Sequence, residues 1–284
     1  MLIIMAEHAG FCFGVKRAVD AIERSLQDNA EVWTIGLPIH NPQEVARLEA
    51  LGLRVAETEA DIPDGARVLI RAHGEPVEVI DRLKAKGVSV EDMTCPFVKK
   101  AQDAAAELSR QNYHVVLLGD KNHPEIKGII GHTANPSNVE VIANEDEAEK
   151  LSRFGKIALI SQTTQREERL AKVAAILVRK CSELRVCNTI CKATAERQEA
   201  ARELVRNNDV DGVVLIGGKQ SANTAKLRDI IAAEGVSVLW AEDEKELAEN
   251  MSWFTGKNRI GIAAGASTPG WLIDSVKNNI TANS

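Results

Sequence analysis

One segment shows the building unit of this chain. Residues 95–123 read CPFVKKAQDAAAELSRQNYHVVLLGDKNH. A cysteine opens an amphipathic helical pattern, a continuous apolar run then indicates a buried strand, and a polar turn containing His123 follows. Continuous apolar runs are typical of parallel strands that are covered on both faces. The segment therefore predicts an α/β unit with a cysteine at its start and a histidine after its strand.

The same order occurs three times along the chain. Each repeat begins with a cysteine, which is followed by a helix, a strand and a first polar turn, and then by a second helix, a second strand and a second polar turn. In the order cysteine, first turn, second turn, the repeats contain Cys12, His40 and His73; Cys95, His123 and Thr163; and Cys191, Ser221 and Ser267. The first turn follows the cysteine by 28, 28 and 30 residues. A repeat of this length indicates three similar structural units.

The repeats predict an α/β fold of three similar lobes with small, mostly parallel sheets around a pseudo-threefold axis. The expected lobes are residues 13–95, 96–190 and 191–284, and a strand within residues 1–12 is expected to pack on the third. Ligands of open α/β sheets lie beyond the C-terminal strand ends. Three cysteines would then meet at one point, and six polar turns would line one central cavity.

The apolar and amphipathic patterns also give the individual elements. Besides the N-terminal strand, the predicted strands are Glu31–Ile35, Arg67–Arg71, His114–Leu118, Lys156–Ser161, Gly212–Ile216, Val236–Trp240 and Arg259–Ala263. The predicted helices are Val15–Leu26, Val77–Lys86, Lys99–Arg110, Glu167–Lys180, Ala195–Asn207 and Thr224–Ala233, and Pro269 marks the start of another.

Composition excludes several classes of protein. The net charge is −6, and no run of Lys and Arg could follow a nucleic-acid backbone. No apolar run approaches the ~18 residues of a membrane helix, and the short apolar segment Met1–Ala6 is expected to be a strand, not a signal peptide. The five cysteines are an odd number and are spread along the chain, so disulfide bonds are not expected between them. Reduced cysteines favour a cytoplasmic location.

The three repeat cysteines suggest a metal centre. Three thiolates without a local CxxC pair suit a four-iron cluster that lacks one protein ligand, which leaves one iron open to substrate. Structural zinc usually has four protein ligands, often in close cysteine pairs. The alternatives are buried thiols that pack as small apolar groups, or a local site of Cys181, Cys187 and Cys191. Cys181, at the end of a predicted helix, and Cys187, in a strand-like stretch, are expected to be structural.

The polar turns suggest an anion site. His40, His73 and His123 lie in turns beside Gly or Pro, and a protonated histidine donates strong hydrogen bonds to phosphate oxygens. Residues 217–224, GGKQSANT, follow a strand and open a helix, which is typical of anion binding. The alternative is that these are ordinary turn and cap residues. His8, His114 and His132 lie outside the repeat and are expected to be structural.

Glu125 is the carboxylate that belongs to a repeat turn. Beside a cluster and a bound anion, burial and neighbouring negative charge would favour its protonated form, which suits a general acid. The alternative is a solvated carboxylate at a helix start.

Taken together, these residues resemble the LytB/IspH family of 4-hydroxy-3-methylbut-2-enyl diphosphate reductases. The resemblance runs from residue 10 to about residue 275, in one order. It lies in the stretches Gly10–Val15, His40-Asn41, Ala72-His73-Gly74, Thr94-Cys95-Pro96, His123-Pro124-Glu125, Ser161–Thr164, Thr189-Ile190-Cys191 with Ala193-Thr194, Ser221 with Asn223, and Ala264–Ser267.

The resemblance implies reductive removal of the substrate hydroxyl at one [4Fe–4S] cluster per chain, giving isopentenyl and dimethylallyl diphosphate. It implies that Cys12, Cys95 and Cys191 hold the cluster and that Glu125, Thr163 and His123 take part in catalysis. The implied substrate-binding residues are His40, His73, His123, Thr163, Ser221, Ala222, Asn223 and Ser267. It also implies an external electron donor of the flavodoxin or ferredoxin type, since no flavin or nicotinamide motif is present.

One position departs from some members of the family. They have Ser-Ser-Asn where this chain has Ser221-Ala222-Asn223, so one hydroxyl contact to phosphate is lost while the backbone N–H of Ala222 can still donate. Two other functions remain compatible with three cysteines. One is a hydro-lyase that uses the same cluster without net electron transfer, and the other is a metal or redox sensor, which would not need a diphosphate site.

Overall fold

The computed structural model of the protein describes residues 1–27 and 31–282. The strands in these residues are β1 (Leu2–Met5), β2 (Val32–Ile35), β3 (Leu53–Ala56), β4 (Arg67–Ile70), β5 (Ser89–Asp92), β6 (His114–Leu118), β7 (Val139–Ile142), β8 (Phe154–Ser161), β9 (Cys181–Cys187), β10 (Gly212–Ile216), β11 (Ser237–Ala241) and β12 (Arg259–Ala264). The helices are α1 (Phe13–Gln27), α2 (Pro42–Ala50), α3 (Val77–Ala85), α4 (Pro96–Arg110), α5 (Pro124–Ile130), α6 (Glu145–Lys150), α7 (Glu167–Leu177), α8 (Lys192–Asn208), α9 (Ala222–Ala233), α10 (Glu244–Glu249) and α11 (Gly270–Ala282).

The strands form three sheets of four strands each, in the orders β1-β12-β10-β11, β3-β2-β4-β5 and β7-β6-β8-β9. Neighbouring strands are parallel in every sheet. The predicted α/β fold with small parallel sheets is confirmed. The N-terminal strand is also confirmed: β1 pairs with β12, with Leu2 opposite Arg259.

The central strands are buried on both faces, which explains their continuous apolar sequences. In β6, Val115 and Leu117 pack into one core, whereas Val116 and Leu118 pack into another on the opposite face. Successive side chains of a strand point to opposite faces, so both faces of this sheet are covered. The residues of β10 alternate between two cores in the same way.

The sequence patterns missed four strands, and all four lie at sheet edges: β3, β5, β7 and β9. Their sequences, such as VEVI in β7, mix exposed polar residues with apolar ones. The expectation that Cys181 ends a helix was wrong, because α7 ends at Leu177 and Cys181 begins β9. Four helices begin earlier than predicted, α1 at Phe13, α4 at Pro96, α8 at Lys192 and α9 at Ala222, and the first three begin directly after a cysteine.

Contacts within the chain divide it into two compact units. Unit 1 consists of Met1–Val19, Ile39–Leu51 and Lys192–Ser284 and contains the sheet of β1, β10, β11 and β12. Unit 2 consists of Asp20–Pro38 and Gly52–Cys191 and contains the other two sheets. The three lobes 13–95, 96–190 and 191–284 stay a prediction. None of the helices within residues 1–27 and 31–282 is long and apolar enough to cross a membrane.

Candidate functional site

The three repeat cysteines share one backbone arrangement. Each comes directly before a helix, namely α1, α4 or α8. Each cysteine N–H also donates a hydrogen bond to a carbonyl oxygen of a second polar turn: Cys12 to Ala266 at 3.0 Å, Cys95 to Ala72 at 3.0 Å and Cys191 to Thr163 at 3.1 Å. These turns contain Ser267, His73 and Thr163, so each cysteine is joined to the second turn of the repeat before it in cyclic order.

The side chains of Cys12, Cys95 and Cys191 suit a thiolate-bound cluster. All three are partly exposed thiols, not disulfides, and a helix start favours a negative charge. Burial raises the pKa of the Cys181 and Cys187 thiols and so disfavours the thiolate that metal binding needs. The Cys181 thiol also donates to the Leu177 carbonyl at 3.3 Å. These contacts support a structural role for the latter two cysteines.

Within unit 2, Glu125 and Thr163 form a buried pair. Glu125 is 2% exposed and lies in the first turn of α5. Its Oε1 accepts the backbone N–H of Thr163 at 2.7 Å, and its Oε2 accepts the Thr163 hydroxyl at 2.9 Å. The solvated helix-cap alternative for Glu125 is wrong, since the carboxyl group is buried. The pair can pass a proton between carboxyl and hydroxyl oxygens.

Two histidines of unit 2, His73 and His123, lie close together, and His123 is two residues before Glu125 in the chain. The rings of His73 and His123 are 5.3 Å apart and nearly perpendicular, at 86°. His123 precedes α5, and its Nδ1 accepts the backbone N–H of Glu125 at 3.1 Å. A ring nitrogen that accepts a hydrogen bond carries no proton, so the neutral His123 ring has its proton on Nε2. In this form the ring has one N–H donor, on Nε2.

The turn that carries His73 requires a glycine. Gly74 has φ +75°, and a Cβ there would lie 2.4 Å from Gln102 Nε2 and 3.1 Å from Thr94 Cγ2. Positive φ is readily adopted by glycine alone among the common residues. The tight turn therefore fixes His73 close to α4, the helix that Cys95 begins.

Within unit 1, the loop after β10 holds the predicted residues Ser221, Ala222 and Asn223 at the start of α9. Ser221 caps this helix, its Oγ accepting the Thr224 N–H at 3.3 Å. Asn223 is 5% exposed, and neither its Oδ1 nor its Nδ2 has a hydrogen-bond partner within the described residues. A buried amide without partners is costly, so this side chain suits a polar ligand at the helix start.

His40 and Ser267 also lie together in unit 1. The Ser267 hydroxyl donates to the His40 carbonyl at 3.1 Å. The same carbonyl also lies against Gly218, where a Cβ would be only 2.4 Å from the oxygen. The close approach places His40 beside the loop of Ser221 and Asn223.

Sequence reasoning missed an ion pair around the His73 turn. Arg71 Nε donates to Glu75 Oε1 at 3.0 Å, and Arg71 Nη1 donates to the Leu37 carbonyl at 3.4 Å. Burial raises the pKa of Glu75, although Arg71 opposes this shift. The signal was a pair of opposite charges, four residues apart, on either side of His73.

Two of the histidines outside the repeat have contacts of their own: His114 bonds to Asn138 and Glu140, and His132 to the Gly128 carbonyl.

Comparison with known proteins agrees over the full length. A family model described as LytB protein matches residues 3–281. A 4-hydroxy-3-methylbut-2-enyl diphosphate reductase of Aquifex aeolicus is 44% identical over 281 residues, 98% of this chain and 95% of the relative. The protein of the same name from Helicobacter pylori is 42% identical over 282 residues, 99% of each chain.

Solved structures agree as well. One, of (E)-4-hydroxy-3-methyl-but-2-enyl diphosphate reductase, the terminal enzyme of the non-mevalonate pathway, is 42% identical, with a TM-score of 0.70, and covers 99% of this chain and 100% of that one. Another, of the E-1-hydroxy-2-methyl-but-2-enyl-4-diphosphate reductase from Plasmodium falciparum, is 25% identical, with a TM-score of 0.90, and covers 99% of this chain and 87% of that one. This chain therefore belongs to the LytB family of reductases.

Proposed function

We propose that this chain reduces (E)-4-hydroxy-3-methylbut-2-enyl diphosphate to isopentenyl diphosphate and dimethylallyl diphosphate, the last step of the non-mevalonate route. Two electrons and two protons remove the hydroxyl group as water. The names of the relatives support the substrate. The observation that carries the proposal is the arrangement of Cys12, Cys95 and Cys191, each at a helix start with its N–H on a polar turn.

The three cysteines would hold one [4Fe–4S] cluster. Bound there, it would supply the electrons and a Lewis-acidic iron for the leaving hydroxyl. As the family resemblance implies, an external carrier of the flavodoxin or ferredoxin type would deliver the electrons. A cytoplasmic location, where thiols stay reduced, suits this chemistry.

The polar turns would bind the diphosphate. The proposed contacts are His40, His73, His123, Ser221, Ala222, Asn223 and Ser267. The unpartnered amide of Asn223 and the Nε2–H of His123 are donors suited to phosphate oxygens. Ser221 uses its oxygen to cap α9, which leaves its hydroxyl proton available to the substrate.

Glu125 and Thr163 would supply protons to the leaving hydroxyl. A protonated Glu125 can donate through Oε2 to the Thr163 oxygen, 2.9 Å away, while the Thr163 hydroxyl donates to the substrate. The backbone N–H of Thr163 holds Glu125 Oε1 in place throughout, at 2.7 Å. His123, which accepts the Glu125 N–H, would orient the same turn and contribute to the catalytic set.

The reaction is tested on protein purified without oxygen. Iron and sulfide are measured, and a spectrum is recorded before and after addition of the allylic diphosphate. About four irons per chain, a spectral change with substrate and consumption of two electrons per product would support the reductase. Product formation without loss of reductant would instead indicate a hydro-lyase. A chain that holds no iron after anaerobic reconstitution would refute the proposal.

Replacing Asn223 with aspartate is expected to raise KM at least about tenfold, because a carboxylate would repel the diphosphate and cannot donate to it. The fold should tolerate the change, since Asp and Asn have nearly the same shape. Steady-state kinetics measure KM. Asn207→Asp, an exposed position in α8, is the matched control and should leave KM unchanged. An unchanged KM in Asn223→Asp would remove Asn223 from the diphosphate site.

A further inference from the structure

Helix α2 starts two residues after His40 and is attached to the segment that begins α11 at two points. The Ser267 hydroxyl donates to the His40 carbonyl at 3.1 Å, and Trp271 Nε1 donates to Glu44 Oε2 at 2.8 Å. His40 and Glu44 are four residues apart, and so are Ser267 and Trp271. The two bonds therefore connect one turn of chain around the start of α2 to one turn around the start of α11.

Glu44 is built into this attachment. It is 1% exposed, and Arg47 donates to both of its oxygens, at 2.6 Å and 2.9 Å. Its backbone N–H donates at 2.8 Å to the side chain of Asn41, the residue that follows His40. A buried carboxyl group needs its donors, so removal of the Trp271 N–H would leave one oxygen with a missing partner.

Trp271 itself contributes little to the core. It is 46% exposed, although most large apolar side chains of α11, such as Leu272 and Val276, are buried. Loss of the indole N–H should therefore affect the position of α2 more than the free energy of unfolding. A variant that lacks this N–H can therefore change ligand binding without an equal change in the free energy of unfolding, which is what a positioning role predicts.

The backbone of His40 also has little room beside Gly218. Its carbonyl oxygen lies where a Cβ of Gly218 would be, at 2.4 Å, in the loop that leads to Ser221 and Asn223. A displacement of α2 would thus change the distance from the His40 ring to the other proposed phosphate donors of unit 1. Misplacement by a fraction of an ångström weakens a charge-assisted hydrogen bond.

We propose that Trp271 and Glu44 are positioning residues that hold His40 at the diphosphate-binding position of unit 1. We call this pair the Trp271–Glu44 clamp. The inference rests on the proposed function, in which His40 binds the diphosphate. Neither residue touches substrate or cluster in this assignment. The contact that the clamp supports is made equally in the ground state and the transition state, so its loss raises KM and leaves kcat nearly unchanged.

The test compares Trp271→Phe with the wild type as cluster-loaded enzymes. Phenylalanine keeps the ring and removes the N–H. The expected result is a KM for the allylic diphosphate about fivefold higher, with kcat within about twofold, since one hydrogen bond to a charged group is lost. Trp253→Phe, in the segment Met251–Phe254, is the matched control and should change neither constant. A lower thermal midpoint with unchanged KM would show a structural role only and overturn the clamp.

A second readout does not depend on turnover. Calorimetry with inorganic pyrophosphate should give a Kd about fivefold higher for Trp271→Phe and at least as high for Glu44→Ala, which also loses the two Arg47 bonds. The double variant should have the Kd of Glu44→Ala alone, because that change has already broken the Trp271 bond. Effects that add in the double variant would overturn the clamp. Wild-type protein that binds pyrophosphate but does not reduce the allylic diphosphate would contradict the proposed function, and the pyrophosphate data would still decide on the clamp.

Discussion

Glu125→Gln is expected to keep the full iron content of the wild type and to lose about a hundredfold or more in kcat. The glutamine carbonyl can still accept the Thr163 N–H, and its amide can donate to the Thr163 oxygen, so the buried pair keeps its geometry. What the variant lacks is a proton that can be transferred. Iron analysis and single-turnover kinetics on anaerobically purified protein measure the two quantities separately.

Glu147→Gln is the matched control for this variant. Glu147 also lies in the first turn of a helix, α6, and also accepts a backbone N–H, from Ala143 at 2.8 Å. It is far from any proposed site residue in sequence and should retain the wild-type kcat. If Glu125→Gln turned over at the wild-type rate, Glu125 would not be the proton donor, and the Thr163 hydroxyl would need another source of protons.

Cys95→Ser should lose most of its iron and reduce kcat by more than about a hundredfold. A serine hydroxyl stays protonated near neutral pH, so it replaces a thiolate ligand poorly. The backbone bond from residue 95 to the Ala72 carbonyl, at 3.0 Å, does not involve the side chain and should persist. The chain should therefore fold, which circular dichroism can verify alongside the iron analysis.

Cys187→Ser separates the proposed ligand set from the local alternative. Cys187 lies in the edge strand β9, where burial raises the pKa of its thiol. Its serine variant should bind as much iron as the wild type. Loss of iron in Cys187→Ser, with full iron in Cys95→Ser, would favour the set of Cys181, Cys187 and Cys191 and contradict the one proposed here.

Sequence patterns predicted the interior of the sheets better than their edges. A strand buried on both faces, such as Val115–Leu118 within β6, leaves an unbroken apolar run that few other structures produce. The edge strand β9 reads CSELRVC and has four exposed residues among seven, so it resembles a polar connection. Its pairing with β8 depends on a neighbour outside its own sequence, and local patterns do not contain that information.

In the candidate site, too, local sequence patterns predicted residues that are close together in the chain but not contacts between distant residues. The Glu125 turn could be predicted because its residues are close together in the chain and recur at the repeat spacing. The bond between Trp271 and Glu44 joins residues 227 positions apart, and neither residue belongs to a repeated motif. The repeat order predicts a helix after the His40 turn, but the sequence patterns did not give the bounds of α2, whose nine residues begin with proline. Contacts of this kind follow from packing and become visible only in the structure.

Unit 1 is assembled from segments near both ends of the chain, which has a consequence for folding during synthesis. The N-terminal segment Met1–Val19 and the segment Ile39–Leu51 belong to unit 1, yet most of that unit comes from Lys192–Ser284. The strand β1 lies at a sheet edge beside β12. The first strand to leave the ribosome therefore cannot pair until β12, the last strand of the chain's described part, has been synthesised. Unit 2 can assemble during translation, whereas unit 1 cannot. Such long-range pairing slows folding and leaves an apolar strand open to aggregation or chaperone binding in the meantime.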